Sequence, residues 1–139
     1  MMRFRALMVA AATAMLPAAA FAAQPVTGKW KTEDGKAIVT IGHCGSQICG
    51  KITQILKSDR GPNPKDTNNP DPKLRDRPLE GLMILTGFSE DGDEWKGRIY
   101  SPEEGKTYRS ILERDGQNGL KVKGCIAFFC KTQHWTAAG

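Results

Sequence analysis

The chain has 139 residues, a formal net charge of +5, and charged side chains at 25% of its positions. This length suits one domain with its own hydrophobic core. Basic and acidic residues are interspersed, and no basic stripe with interleaved aromatic residues is present, so the composition argues against nucleic-acid binding.

The N-terminus has the three parts of a secretory signal peptide. Arg3 and Arg5 provide the basic region, and the small and apolar run over residues 6–16 is too short to span a bilayer. Ala20-Phe21-Ala22 then matches an A-x-A cleavage box. These features predict export and cleavage after Ala22.

Two regions follow from this prediction: a cleaved signal peptide at 1–22 and a single domain at 23–139. No cysteine stands directly after the cleavage box, where a lipid anchor would be attached, and no later segment is apolar enough to cross a bilayer. We therefore expect no membrane anchor. The expected location is the periplasm or the medium outside the cell.

After the signal peptide, short alternating or apolar runs separated by turn dipeptides predict an all-β chain. Asp-Gly steps at residues 34–35, 91–92 and 115–116 are suited to tight turns. Short connections favour antiparallel pairing, and an eight-stranded up-and-down barrel removes exposed sheet edges. The predicted strands are Lys29–Glu33, Ala37–His43, Gly50–Leu56, Leu82–Phe88, Glu94–Tyr100, Thr107–Glu113, Gly119–Cys125 and Lys131–Thr136.

One connection is long: residues 57–81 join strands three and four. Five of the eight prolines fall there, which reduces the entropy lost when the loop is ordered. Asp71-Pro72 reads as a helix N-cap followed by the first helical position. We therefore expect an ordered loop with one short helical turn.

The polar residues of this loop are candidates for a binding rim: Asp66, Asn69, Asp71, Arg75 and Arg77. An EF-hand calcium site is not indicated, because three of its required positions hold the wrong residues. An irregular oxygen-ligand site remains open from the sequence, and our prediction is that the loop binds no metal.

Four cysteines form two C-x4-C pairs in the predicted domain. Export favours disulfides, and zinc sites usually have tighter C-x2-C spacing. Placing Cys44 opposite Cys49 and Cys125 opposite Cys130 makes the cysteine face polar in both hairpins, with the apolar residues opposite. This shared pattern favours Cys44–Cys49 and Cys125–Cys130 among the three possible connectivities.

Alternate loops of a meander share one end of the barrel. The 57–81 loop therefore lies at the same end as the last hairpin tip, where Phe128 and Phe129 are costly to leave in water. We expect these rings to pack against Leu74 and Leu79 and to cover the barrel mouth. Trp30 and Trp135 are predicted to form a structural floor at the opposite end.

Several motifs resemble those of the bacterial periplasmic family known as domain of unknown function 2147. Gly28-Lys29-Trp30 alone matches the weaker G-x-W signature of the calycins, the lipocalins and their relatives. The resemblance covers nearly all of the predicted domain. The matching segments are Gly28-Lys29-Trp30, Asp34-Gly35, Cys49-Gly50-Lys51-Ile52, Asn68-Asn69-Pro70-Asp71, Leu74-Arg75, Arg77-Pro78-Leu79, Gly81-Leu82, Trp95-Lys96-Gly97, Ile99-Tyr100, Gly105-Lys106-Thr107-Tyr108 and Gln133-His134-Trp135-Thr136.

The resemblance implies a calycin-like barrel and an exported protein, and it implies no established activity. In this family an arginine often follows the last Trp-Thr pair, whereas this chain has Ala137. If that arginine covers the floor indole elsewhere, the cover is absent or differently made here.

Catalysis is not expected. No serine lies in a G-x-S-x-G nucleophile elbow, and oxidised cysteines leave no thiolate. The hairpin register puts His43 on the inner face, as a satisfied interior residue, and His134 on the outer face, so they do not meet. We predict no catalytic residues and no cofactor.

Two functional hypotheses follow. In the first, the barrel binds a small apolar or amphipathic molecule, with Arg75 or Arg77 placed for an acidic headgroup. In the second, the protein is an envelope or stress interaction module. Its barrel is packed solid, and it docks a protein partner through the 57–81 loop. The calycin resemblance favours the first. The candidate lining residues are Val39, Ile41, Trp95, Ile99, Val122, Phe128 and Phe129.

Overall fold

The computed structural model describes residues 6–15 and 22–139. Residues 6–15 have no regular secondary structure and lie exposed. The predicted basic region at Arg3 and Arg5 and most of the cleavage box, Ala20-Phe21, lie outside the described residues. Within the described ranges, no helix is long and apolar enough to cross a membrane.

Eight antiparallel strands close into an up-and-down barrel, which confirms the predicted fold. Each strand pairs with the next, and β8 returns to pair with β1, so no sheet edge is left open. The strands are β1 Gly28–Lys31, β2 Ala37–Cys44, β3 Gln47–Ile55, β4 Met83–Asp91, β5 Glu94–Ser101, β6 Lys106–Asp115, β7 Gly119–Ile126 and β8 Phe129–Ala137.

The β7–β8 hairpin has the predicted register. Cys125 lies opposite Cys130 and Leu120 opposite Trp135. The Cα atoms of the two cysteines are 4.1 Å apart and their side chains form a disulfide. Sequence patterning identified this pairing because the polar and apolar faces of both strands are distinct.

The predicted register of the β2–β3 hairpin is wrong by two residues. Cys44 lies opposite Gln47, and Cys49 lies opposite Gly42, so the Cys44–Cys49 disulfide joins neighbouring rows of the sheet. Gly45 has a φ of 66°, which permits a tighter turn than the four-residue loop we expected. A shift of two residues preserves the faces, so Val39, Ile41 and Ile52 point inward as predicted, whereas the predicted inward residues His43 and Gln54 are exposed near the strand ends.

The two ends of the barrel differ. We call the mouth the end that carries the β1–β2, β3–β4, β5–β6 and β7–β8 connections, and the floor the opposite end. Near the floor, large side chains fill the interior, including Phe88, Leu112 and Leu120, all of which are buried. Gly97 makes room for Phe88, since a Cβ atom at Gly97 would lie 2.7 Å from the phenylalanine ring.

Trp30 is buried near the floor and is covered by an arginine from another strand. Its indole nitrogen donates to the carbonyl of Val26 at 2.9 Å. The guanidinium carbon of Arg114 lies 5.0 Å from the centre of the Trp30 ring, within cation–π range. Arg114 also donates to the carbonyls of Pro25, Gly116 and Gln117. This one side chain therefore ties the segment before β1 to the β6–β7 turn.

We expect Arg114→Met to lower the free energy of unfolding by about 2 kcal/mol. The change removes one cation–π contact and three hydrogen bonds to carbonyls near the surface, each with a modest net effect. Urea unfolding followed by tryptophan fluorescence measures the loss. The control is Arg98→Met, which removes an exposed arginine that makes no such contacts; equal stabilities of the two variants would contradict the role of Arg114.

Candidate functional site

A cavity of about 490 Å³, open to solvent, lies in the mouth half of the barrel. Val39, Ile52, Ile84 and Ile99 line it from the mouth halves of four strands, and Trp135 lines it from β8. Unlike the floor half, which Phe88 and neighbouring leucines fill, the mouth half has open space between its aliphatic side chains. The interior of an eight-stranded barrel is either filled by its side chains or has room for one small ligand. The mouth half of this barrel has room for a ligand.

A neighbouring compartment of about 350 Å³ extends this cavity towards the β7–β8 hairpin. Val122, Ile126 and Phe129 contribute its apolar surface. The two compartments share Ile99 and Gln133 in their walls, so they adjoin each other. A larger groove of about 730 Å³ lies outside the barrel, along the end of β3 and the start of the loop, with few inward-facing strand residues in its wall.

Gln133 gives the cavity an oriented polar group. The Trp135 indole nitrogen donates to the Gln133 side-chain oxygen at 3.0 Å. With its oxygen so engaged, the Gln133 amide presents its NH2 group as a donor at the shared wall of the two compartments. A ligand with a carbonyl, carboxylate or ether oxygen would find this donor beside the apolar side chains of Ile99 and Val122.

A cluster of charges crosses the mouth. The Lys36 ammonium lies 3.2 Å from Asp59 of the long loop and 3.5 Å from Glu103 of the β5–β6 turn. The hydrogen bond and the charge of Asp59, followed by the charge of Glu103, raise the pKa of Lys36. Lys36 thus links three segments around the opening, and its charge is balanced by the two carboxylates.

The long loop is held in place by one buried carboxylate. Asp66 has no solvent exposure. It accepts hydrogen bonds from the Tyr100 hydroxyl at 2.6 Å, the Asn69 amide at 2.9 Å and the Arg77 Nε at 2.9 Å. Asn69, Asp66 and Arg77 belong to the loop, whereas Tyr100 belongs to β5. The carboxylate therefore fastens the loop to the barrel wall.

The charged form of Asp66 is favoured despite its burial. Burial acts to raise the pKa of this carboxyl, but the hydrogen bonds from Tyr100, Asn69 and Arg77, together with the Arg77 charge, outweigh it and lower the pKa. The same environment raises the pKa of Tyr100, first through burial and then through the hydrogen bond to Asp66. The phenol stays neutral and the carboxylate stays ionised at neutral pH.

Two further contacts complete the docking of the loop. Asn68 donates to the backbone carbonyl of Glu103 at 2.8 Å. Gly105 lies so close to the loop that a Cβ atom there would overlap the Asn68 carbonyl. As expected, Asp71 caps a short helical turn, observed as the 3-10 helix Pro72–Leu74, by accepting from the Lys73 amide.

The structure does not place the predicted arginines at the cavity rim. Arg77 is held by Asp66, and Arg75 donates to the carbonyl of Asn69. The basic residues that border the cavity are instead Lys36, Lys57 and Arg60. Sequence reasoning missed them because short-range features do not show which part of a long loop crosses the opening.

The predicted lining residues are divided by the structure. Val39 and Ile99 border the larger compartment, and Ile99, Val122 and Phe129 border the smaller one. Ile41 is packed in the core, and Trp95 lies near the floor, where its indole donates to the Gln24 carbonyl. These two residues do not border either compartment.

The predicted packing of the last hairpin tip under the loop is wrong. Phe128 is fully exposed and Phe129 is 76% exposed. Leu79 packs against the barrel core, but Leu74 remains 38% exposed. The Asp66 network and the Asn68 contact draw the loop towards β5 and the β5–β6 turn, which leaves the β7–β8 tip uncovered.

The residues considered for catalysis or metal binding are dispersed. His43 is exposed at the end of β2, so its predicted interior position is wrong. The Asp66 oxygens accept from nitrogen and hydroxyl donors rather than facing an ion site. Within residues 6–15 and 22–139, no group of three or more His, Cys, Asp or Glu side chains is arranged to hold a metal ion.

Comparison with known proteins agrees with this architecture. Residues 28–137 match the model of the family described as "Uncharacterized protein conserved in bacteria (DUF2147)". The chain belongs to this family. No curated protein matches the chain.

The DUF2147 barrel is similar to a solved structure, protein HP1028 from the human pathogen Helicobacter pylori, which is described as belonging to the lipocalin family. The TM-score is 0.73 with 22% sequence identity, over 83% of this chain and 84% of HP1028. At this identity the likeness concerns the fold, which is a lipocalin-like barrel.

In this DUF2147 member the Trp30 indole is covered although Ala137, and not an arginine, follows the last Trp-Thr pair. Ala137 is the register partner of Trp30, the position at which an arginine after the last Trp-Thr pair would lie beside the indole. Arg114 of β6 covers the ring instead. The cover is therefore present but comes from a different strand.

Proposed function

We propose that this protein binds a small, mainly apolar molecule that carries a hydrogen-bond acceptor, and that it binds rather than transforms it. The observation that carries the proposal is the pair of adjoining compartments in the mouth half of the barrel, which combine aliphatic side chains of the strands with the Gln133 amide. Binding sites for small molecules are mostly apolar with a few placed polar groups.

The charges at the mouth favour a neutral or weakly acidic ligand. Lys36 is balanced by Asp59 and Glu103, so it offers less to an anionic headgroup than an unpaired cation would. Lys57 and Arg60 also border the cavity, and the structure gives them no carboxylate partner within the described residues. A medium-chain fatty acid, with one carboxylate at the mouth, has the right combination of groups.

The proposed setting is the periplasm. Two disulfides indicate an oxidising compartment. Export by a signal peptide at 1–22, followed by folding of residues 23–139, is part of the proposal. The alternative of a solid barrel that docks a partner through the 57–81 loop is less well supported, since the mouth half is hollow and the loop's arginines are engaged within the chain.

The test has two parts. Native mass spectrometry of protein purified from the periplasm is expected to show a co-purifying small molecule that organic extraction removes. Titration of the extracted protein with a fluorescent medium-chain fatty acid is expected to be saturable at one site, with a change in tryptophan fluorescence from Trp135. The proposal would be contradicted if the protein carried no bound molecule and showed no saturable binding of any apolar dye.

A further inference from the structure

The β7–β8 hairpin ends in an exposed apolar tip. Its residues are Ile126, Ala127, Phe128 and Phe129, and we call them the aromatic tip. Phe128 is fully exposed, Phe129 is 76% exposed and Ile126 is 66% exposed. Within residues 22–139 these are the three most exposed large apolar side chains. A soluble surface rarely presents large apolar groups together without a use for them.

The tip is rigid. The Cys125–Cys130 disulfide closes the hairpin directly below it, and Ile126 lies opposite Phe129. The carbonyl of Ala127 accepts a hydrogen bond from the Arg109 guanidinium of β6. The aromatic tip is therefore held in its exposed position, and little conformational entropy remains to be lost when it binds a surface.

Unbalanced positive charge flanks the tip. Arg98 and Arg109 are register partners on the outer face of β5 and β6, and Lys131 follows the tip on β8. None of the three forms a salt bridge with the described acidic residues. Two adjacent arginines repel each other, and an anionic surface relieves this repulsion by neutralising their charges.

We propose that the aromatic tip docks this protein on an anionic phospholipid bilayer. Aromatic side chains with a polar or basic border suit the interface between headgroups and acyl chains, while nearby Arg and Lys side chains attract acidic headgroups. A protein partner could also cover apolar residues, but a rigid, protruding wedge with Arg98 and Arg109 on the outer face beside it matches a bilayer better than a folded protein's mixed surface. Glu103 and Glu104 lie on the cavity side of Phe129.

The position of the tip links docking to the cavity. Ile126 and Phe129 border the smaller compartment, which adjoins the larger one at Ile99 and Gln133. An acyl chain leaving the bilayer at the tip would meet the apolar side chains of Phe129, Val122 and Ile99 in turn. Docking itself is independent of the proposed function, whereas this route rests on it.

Vesicle flotation tests the docking. The processed protein, residues 23–139, is mixed with phosphatidylcholine vesicles containing or lacking about 30% phosphatidylglycerol. We expect flotation with the anionic vesicles, and at least about tenfold weaker binding for Phe128→Ser/Phe129→Ser. The matched control is Leu74→Ser/Met83→Ser, which replaces two partly exposed apolar residues away from the tip and is expected to bind like the wild type. Arg98→Gln/Lys131→Gln is expected to lose the preference for anionic vesicles.

The outcomes separate docking from ligand binding. Absence of flotation for the wild type, or flotation unchanged in Phe128→Ser/Phe129→Ser, would overturn the docking assignment and leave the tip to a protein partner. Fluorescent fatty-acid binding is measured in parallel without vesicles. If the wild type floats but binds no fatty acid, docking stands and the cavity function fails; if Phe128→Ser, which changes no residue of the cavity wall, binds fatty acid but floats less than the wild type, both stand.

Discussion

Replacing Asp66 with alanine is expected to lower the free energy of unfolding by about 3 kcal/mol and to loosen the 57–81 loop. The substitution leaves three donors, on Tyr100, Asn69 and Arg77, without their common acceptor. Removing one partner of a buried charged pair usually costs about 3–5 kcal/mol. We expect the low end, because the Arg77 side chain is 37% exposed and water can solvate it.

Urea unfolding and limited trypsin digestion report the two effects separately. Trypsin is expected to cut Asp66→Ala faster than the wild type at Lys65 or Lys73, since both lie in the loop. The control is Asp76→Ala, an exposed aspartate of the same loop, which is expected to change stability by less than about 0.5 kcal/mol. Equal behaviour of the two variants would show that the loop is not fastened by Asp66.

The contribution of Asp66 depends on pH in a defined direction. Its pKa is lower in the folded protein than in the unfolded chain, so the unfolded state binds more protons as the pH falls. The stabilisation is present above the ordinary aspartate pKa of about 4 and is lost as the pH falls through the folded-state pKa. The stability difference between the wild type and Asp66→Ala is therefore expected to shrink on acidification below about pH 4.

Substitution of Ile99 by tryptophan is expected to weaken binding of a fluorescent fatty acid by at least about tenfold, equivalent to about 1.4 kcal/mol. Ile99 borders both compartments, so a larger ring there takes up space that the ligand would occupy. The cavity itself accommodates the added volume, and the barrel is expected to remain folded. Titration by fluorescence measures the affinity, and thermal unfolding checks the fold.

Ile111→Trp is the matched control for this substitution. Ile111 lies on the outer face of β6, between Lys96 and Lys123 in register, so the same change adds the same ring outside the barrel. We expect wild-type affinity for this variant. If Ile99→Trp also bound the fatty acid normally, the ligand would have to lie elsewhere, and the cavity would not be the site.

Local patterns predicted the barrel well. Alternating strands, Asp-Gly turns and short connections specify an antiparallel meander, and closure follows because eight such strands otherwise leave two open edges. The β7–β8 register and the Asp71 cap depend on neighbours in the sequence, and both were predicted. The β2–β3 register was missed because Gly45 allows a turn shorter than the cysteine spacing suggested.

The candidate site was predicted only in part. Alternation identifies the inward residues, which is why Val39, Ile99 and Val122 were among the candidates that border the cavity. Alternation does not show how far along the barrel side chains fill the interior. Ile41 and Trp95 belong to the filled part and therefore do not border the cavity. That boundary depends on the combined volume of side chains from several strands, including the Phe88 ring over Gly97.

The sequence by itself determined the fold class, the strand order, the two disulfide partners and the presence of one ordered loop, since each follows from interactions between residues close in the chain or from strict alternation. Only the tertiary structure decided where the loop rests and what it leaves open. The buried Asp66 contacts Tyr100 across 34 residues, and this bond commits Arg77 to the loop's interior and leaves the Phe128 tip uncovered. Such long-range contacts leave no periodic pattern in the sequence.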